Sequence, residues 1–316
     1  MSRGQVIVLG INGHVGHHIG KAFVSAGWEV SGMGRSNRHP VEGVRFVKGD
    51  ADSLDDLRAA IGSIDVVVNA LNLPYDKWDN GRMEAQNARV IEALGTSGKT
   101  LLFPGNIYNY AAADRAVTPD LKQRPETPRG EIRQRTEALY RAAASKGHIQ
   151  AIILRAGDFF GPESQGDWFD LVMLREAAKG KFAMMGTRGI AHAWAYLPDL
   201  ARAFEKLAWH RKELAAFDTF HFHGTFVTPE VLANAVVAAA PVKLKVSMFP
   251  RILLGAIGLF DPVMREIAKM GYLWDNAMEL KDARLETILG PDFATPFSTA
   301  IAETVDPFFA EKKLAA

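Results

Sequence analysis

Cysteine is absent from the 316 residues, which excludes disulfides, thiolate metal sites and a cysteine nucleophile, and fits a reducing cytoplasm. An excess of one charge is also lacking. With 37 Lys and Arg against 36 Asp and Glu, no net field draws the chain to nucleic acid or to an anionic membrane. An anionic ligand must then be met by a local site. Long apolar runs are missing too: the longest, Ile252 to Phe260, is broken by two glycines and falls far short of the ~20 residues of a membrane-spanning helix. No secretory pattern stands ahead of the strand-like stretch at 5–10. These absences predict a soluble cytoplasmic protein whose partner is a small molecule rather than nucleic acid or membrane. The sequence leaves the oligomeric state open, a homodimer being the common default for soluble enzymes.

What is present is a regular alternation. Short apolar runs recur at 5–10, 28–33, 44–47, 64–71, 100–103 and 150–155, and most are separated by segments with helical spacing, at 15–26, 54–61, 83–94 and 133–144. Strand alternating with helix predicts an α/β fold, a Rossmann-type doubly wound parallel sheet with helices on both faces. Beyond Pro162 the pattern loosens into helical spacing at 168–180 and 198–210, a strand-like 217–224, and a helix opening at Thr228 and Pro229. We therefore expect a sheet domain over 1–160 and a smaller, mainly helical lobe over 161–316, with the 217–224 strand free to return to the main sheet.

The first strand runs into Gly10-Ile11-Asn12-Gly13-His14-Val15-Gly16, a GxxGxxG spacing that opens a helix. One glycine permits the tight turn, one admits backbone N–H groups to a pyrophosphate, and one lets helix and strand pack closely, while the helix N-terminus adds its dipole. Asn12, His14 and Val15 complete the expected phosphate loop. After the second strand, where an NAD site usually carries an acidic residue for the ribose 2′-hydroxyl, the chain has Arg35 and Arg38 and no acid. Two guanidinium groups suit a 2′-phosphate, so NADP is expected ahead of NAD. Asp50, Ala51 and Asp52 follow the third strand, where a carboxylate can meet the adenine amino group. Asp52 could equally belong to the cap of the next helix. Ala70 and Leu71 close the fourth strand at the sheet's carboxyl edge.

Together with Arg155-Ala156-Gly157-Asp158-Phe159-Phe160-Gly161-Pro162, Tyr196-Leu197-Pro198-Asp199-Leu200-Ala201, and the ending Asp282-Ala283-Arg284, Ile288-Leu289-Gly290 and Thr295-Pro296, these features resemble the extended short-chain dehydrogenase/reductase superfamily of NAD-dependent epimerases and dehydratases. The resemblance implies an oxidoreductase or epimerase-like enzyme acting on a small carbonyl or nucleotide-sugar-like substrate held between sheet domain and lobe.

The catalytic signature departs from that family. Its members use Tyr-x-x-x-Lys, in which the lysine holds the cofactor ribose and lowers the tyrosine's pKa. Here Tyr75, Tyr108, Tyr110, Tyr140, Tyr196 and Tyr272 are followed four positions later by Asp, Ala, Asp, Ala, Leu and Asn. Arg129 and Arg133 stand at the tyrosine and lysine positions. The usual Ser/Thr partner is replaced by the stretch Phe103-Pro104-Gly105-Asn106-Ile107-Tyr108. Arginine is no acid near neutrality, so two expectations follow. Either the protein is an enzyme of non-standard mechanism, in which Tyr108 or Asn106 polarises a carbonyl, Arg129 binds a substrate anion and Arg133 holds the ribose, or it is an inactive cofactor-binding sensor.

Nine histidines suggest no metal centre, because the densest group, His14, His17 and His18, has no carboxylate close in sequence. Asp158, His192 and Asp199 are candidates for a proton relay whose proximity the sequence cannot give. Trp168, Phe169, Phe182 and Trp194 suit either a pocket lining or plain core.

Overall fold

The computed structural model describes residues 3–163, 166–250 and 259–309, so most of the 252–260 apolar stretch lies outside the described residues. Strands β1 (Gln5–Leu9), β2 (Glu29–Gly34), β3 (Val44–Lys48), β4 (Val66–Asn69), β5 (Thr100–Asn106), β7 (Gln150–Ala156) and β11 (Phe217–His221) form one sheet in the order β11-β7-β5-β4-β1-β2-β3, with a two-residue strand β6 (Ala116–Val117) outside it. All its pairings are parallel. Helices cover both faces: α1 (His14–Ser25), α2 (Leu54–Ile61), α3 (Arg82–Leu94), α4 (Pro128–Ser145) and α5 (Leu197–His210).

Coverage on both sides explains why the central strands read as continuous valine, isoleucine and leucine rather than alternating. Val6, Ile7, Val8 and Leu9 of β1 are all fully buried, even-numbered residues packing with α1 and α5 and odd-numbered ones with α2 and α3. Each such side chain contributes about 1.5–3 kcal/mol on burial. The helices begin where the sequence supplies caps: Ser53 accepts from the Asp56 N–H, and Thr127 from the Gly130 N–H.

Chain beyond residue 160 contributes to this layer as well as to the lobe. Helix α5 packs with α1 in the core on one face, and β11 pairs with β7 from Phe217–Ala151 to His221–Arg155. The lobe holds strands β8 (Asp158–Phe160), β9 (Lys181–Met184), β10 (His192–Tyr196), β12 (Thr225–Val227), β13 (Lys245–Met248) and β14 (Glu279–Leu280), with helix α6 (Pro229–Ala239) and the shorter helices Pro262–Lys269, Tyr272–Asp275, Ala283–Leu289 and Phe297–Val305. Its core gathers Phe169, Phe182 and Trp194.

The helix expected over 168–180 is instead a π-helical turn, Phe169–Met173, and a 3-10 turn, Ala177–Lys179. The Leu174 N–H donates to the Phe169 carbonyl, five residues back. That wider turn brings Phe169 and Leu174 to the same side, and both are buried in the lobe core.

Two segments singled out in the sequence prove to be structural partners. Asp199 accepts from the Thr295 N–H at 2.8 Å and hydroxyl at 2.7 Å, pinning the C-terminal segment to the first turn of α5.

Candidate cofactor and substrate cleft

The three loop glycines have distinct tasks. Gly10 has φ +84°, and a Cβ there would lie 2.9 Å from the Ala70 carbonyl oxygen. A Cβ on Gly16 would lie 2.3 Å from the Gly10 oxygen, so only glycine lets α1 approach the turn. Gly13 is different: its φ is −82°, and its Cβ would meet only the Gly10 oxygen, at 3.4 Å. The fold leaves room at Gly13 that it does not use. Helix α1 begins there with no side-chain cap and no acidic residue in its first turn, so its N-terminal N–H groups and dipole remain available to an anion.

Alongside runs a groove of about 390 Å³, whose wall includes Gly10, Asn12, Gly13, Arg35, Arg38 and His39. Asp50, Ala51 and Asp52 line it too. The Asn12 amide donates to the Ser36 carbonyl at 2.7 Å, and its oxygen accepts from the Arg38 N–H at 3.1 Å. Asn12 thus ties the arginine-bearing loop to the glycine turn. Ser53, not Asp52, caps α2, while Asp52 pairs with Arg89 at 2.9 Å.

Leu71 and Asn72 line both this groove and a second cavity of about 290 Å³. The second cavity opens at the carboxyl edge of β4, β5 and β7, where a parallel sheet presents its ligand site. Ala70, Asn106, Tyr108 and Arg133 line it, as do Val15 from α1 and Trp168 from the lobe.

Arg133 is 7% exposed, sits 4.4 Å over the Trp78 ring and reaches the Asn72 side-chain oxygen at 3.4 Å. Its Nε is buried without a partner, and among the described residues no carboxylate forms an ion pair with it. Burial lowers its pKa, opposed by Tyr75 and Tyr108, yet a guanidinium stays charged. Arg133 thus brings to the cavity wall a guanidinium that no carboxylate pairs with among the described residues.

Arg129 behaves otherwise, although it shares the helix. It is 1% exposed, donates to both oxygens of Asp79 at 2.9 and 3.0 Å, lies 3.1 Å from Glu266, and does not line the cavity. The expected substrate-anion role is corrected here: both terminal nitrogens are already engaged by carboxylates.

The phenols come together unexpectedly. The Tyr75 and Tyr108 hydroxyls lie 2.5 Å apart on the cavity wall, a pairing invisible in the sequence because 33 residues separate them. Burial raises the Tyr108 pKa well above its ordinary value, with Tyr75 and Asp158 adding and Arg133 opposing. Burial raises Tyr75 as well. Asn106 accepts from the Tyr108 N–H at 3.1 Å and so fixes the turn that carries this phenol.

Asp158 and His192 line the same cavity in contact, whereas Asp199 bonds to Thr295 elsewhere. His14 is turned to the lobe, with Nδ1 3.0 Å from Asp167. Burial disfavours its imidazolium, but the Asp167 hydrogen bond and charge prevail and raise its pKa. His18 is buried, its Nε2 donating to the Pro162 carbonyl at 2.9 Å. Among the described residues no three His, Asp or Glu side chains gather as metal ligands, and no helix is long and apolar enough to cross a membrane.

Residues 6–221 match the family described as NAD dependent epimerase/dehydratase, a span of more than half the chain. The chain belongs to this family. No curated protein sequence matches it. Among solved structures, MoeE5 in complex with UDP-glucose and NAD is 18% identical, with 98% of this chain and 100% of that one covered and a TM-score of 0.77. UDP-glucose 4-epimerase from Brucella ovis in complex with NAD is 16% identical over 96% of this chain and 98% of its own, with a TM-score of 0.77. The Bordetella bronchiseptica enzyme WbmH in complex with NAD+ is 18% identical over 98% and 99%, with a TM-score of 0.71. At such identities the likeness is one of fold.

The glycine loop and the uncapped α1 terminus are features that suit a dinucleotide phosphate. Sequence spacing singled out the loop, and the family resemblance singled out Arg133, Asn106 and Tyr108. Tyr75, which opens a 3-10 turn after β4, was passed over because no motif surrounds it. The sequence named Asp158 and His192 without being able to join them.

Proposed function

We propose that the chain is an NADP(H)-dependent oxidoreductase that interconverts a carbonyl and an alcohol, with Tyr108 as proton donor and Arg133 as the anchor for the cofactor ribose. One observation carries this reading. The Tyr75–Tyr108 phenol pair and the buried Arg133 guanidinium line one cavity that adjoins the glycine-loop groove through Leu71 and Asn72.

When bound in reduced form, the cofactor supplies a hydride to the carbonyl carbon. Tyr108 gives its phenolic proton to the carbonyl oxygen, and solvent restores it, so each turnover consumes one hydride and one proton. The phenol is protonated at neutral pH and can donate, but burial holds its pKa above the ordinary value and so works against release of the proton. Arg133 favours the phenolate left after transfer, against the opposing effects of burial, Tyr75 and Asp158. Arg35, Arg38 and His39 in the groove, with no carboxylate at the end of β2, support a 2′-phosphate and hence NADP over the NAD found with the solved relatives.

Calorimetric titration with NADP and NAD, followed by reduced-cofactor oxidation against a carbonyl panel, tests the reading. We expect NADP to bind at least tenfold more tightly, with Arg35→Ala removing that preference. Tyr108→Phe should cut kcat by 10²–10⁴ and leave cofactor affinity unchanged. Unaltered turnover in Tyr108→Phe would refute the phenol's role. Tight cofactor binding with no hydride transfer to any carbonyl would favour a sensor.

A further inference from the structure

The cavity's two sides differ in chemistry. Turns after β4 and β5 bring the phenols and helix α4 the guanidinium, whereas the lobe brings Trp168, Leu171, Val172, Met264, Ile267 and Met278. Leu171 is 51% exposed while lining the cavity, so part of this apolar wall already faces solvent. Large exposed apolar side chains beside a concave site mark apolar ligands.

The charged groups of the lining are Arg133, Asp158, Asp167 and His192. Asp158 and His192 contact each other, and Asp167 contacts His14. Arg133 is assigned to the cofactor ribose. A diphosphate placed against the lobe would therefore meet two carboxylates and, among the described residues of the lining, no uncommitted cation. Burying an unpaired dianion is prohibitively unfavourable, since even one ion costs several kcal/mol after relaxation. At about 290 Å³ the cavity is also at the small end for small-molecule sites, which run to roughly 1,000 Å³, and it must admit the nicotinamide as well.

We infer that the substrate is a compact, uncharged, apolar ketone or aldehyde, or the corresponding alcohol, and not a nucleotide sugar. The inference rests on the oxidoreductase reading above. Met and Leu side chains in the lobe wall suit such a ligand because they reshape around varied apolar outlines without leaving a polar group unpaired.

The test uses the full chain and begins with cofactor affinity, so that a failure to bind either dinucleotide is recognised as a failure of the oxidoreductase reading. With NADP saturating, cyclohexanone, acetophenone, UDP and UDP-glucose are titrated by tryptophan fluorescence. Turnover is then read as reduced-cofactor oxidation for the ketones and by product chromatography for UDP-glucose. We expect kcat/KM for a ketone at least 100-fold above that for UDP-glucose, and no saturable response to UDP at millimolar concentration. Met264→Lys, at a half-buried position, should weaken ketone binding at least tenfold with cofactor affinity unchanged. Saturable UDP-glucose binding overturns the inference, as does cofactor binding without saturable ketone binding. Ketone binding indifferent to Met264→Lys overturns it too.

Discussion

Asp158 and His192 meet with Oδ2 and Nε2 2.8 Å apart, while the other ring nitrogen of His192 lies 3.1 Å from the Leu273 carbonyl. A carbonyl only accepts, so Nδ1 carries a hydrogen. Asp158→Asn should keep the contact at Nε2, because the amide can donate there, at a stability cost of about 1 kcal/mol. Nitrogen-15 NMR is expected to show a hydrogen on His192 Nδ1 in the native protein and in the variant. A bare Nδ1 in either would refute this account of the pair.

Gly13 and Gly16 should respond oppositely to the same substitution. Gly13→Val puts a Cβ in ordinary contact with the Gly10 oxygen, at 3.4 Å, and should preserve circular dichroism with a small loss of thermal midpoint from the poorer helix cap, while abolishing dinucleotide binding, since the branched side chain occupies the path of the pyrophosphate. Gly16→Val forces a carbon to 2.3 Å from the Gly10 oxygen and should destabilise by several kcal/mol. Retained cofactor affinity in folded Gly13→Val would remove the loop from the site.

Replacing Arg129 tests stability rather than chemistry. Arg129→Met leaves Glu266, whose side chain is 11% exposed, with Lys269 at 2.7 Å as its remaining cation, and should cost about 1.5 kcal/mol in urea unfolding. Asp79 is half exposed and water replaces its partner, so it adds little. Glu266→Gln combined with Arg129→Met should recover part of the loss. Full stability with turnover abolished would return Arg129 to the reaction.

Acid should act through two buried histidines. Burial lowers His18 from 6.5 to about 4, and burial with the charge of Arg155 lowers His221 to about 3. The unfolded chain therefore binds protons first. The stability tied to the neutral rings is complete above pH 6.5 and is lost as pH falls through 4 and 3. His221 accepts from Arg155 at 3.0 Å and donates to the Val117 carbonyl at 2.8 Å, so protonation breaks one bond and sets two cations together. Urea unfolding at pH 7, 6, 5 and 4 should show a shallower decline for His18→Gln than for the native protein. An unchanged slope would show that His18 does not couple folding to pH.

Local sequence determined the strands of the main sheet, most of its helices and the phosphate loop, because apolar periodicity, caps and glycine spacing act over a few residues and need no distant partner. Asn106 and Tyr108 were legible at the end of the fifth strand, and Arg133 through the family resemblance, as the residue at its lysine position. The missing helix over 168–180 marks where that reasoning stops: the spacing suits a helix, but the lobe core is better filled when Phe169 and Leu174 share one side. Only the tertiary structure decided between two arginines four positions apart on one helix. Arg129 finds Asp79 and Glu266 across its path and is neutralised, whereas Arg133 finds aromatic rings, an amide and a cavity. The phenol pair and the Asp158–His192 contact belong to the same class, since each joins residues more than thirty positions apart through the packing of separate loops and strands, and no local preference encodes such a distance.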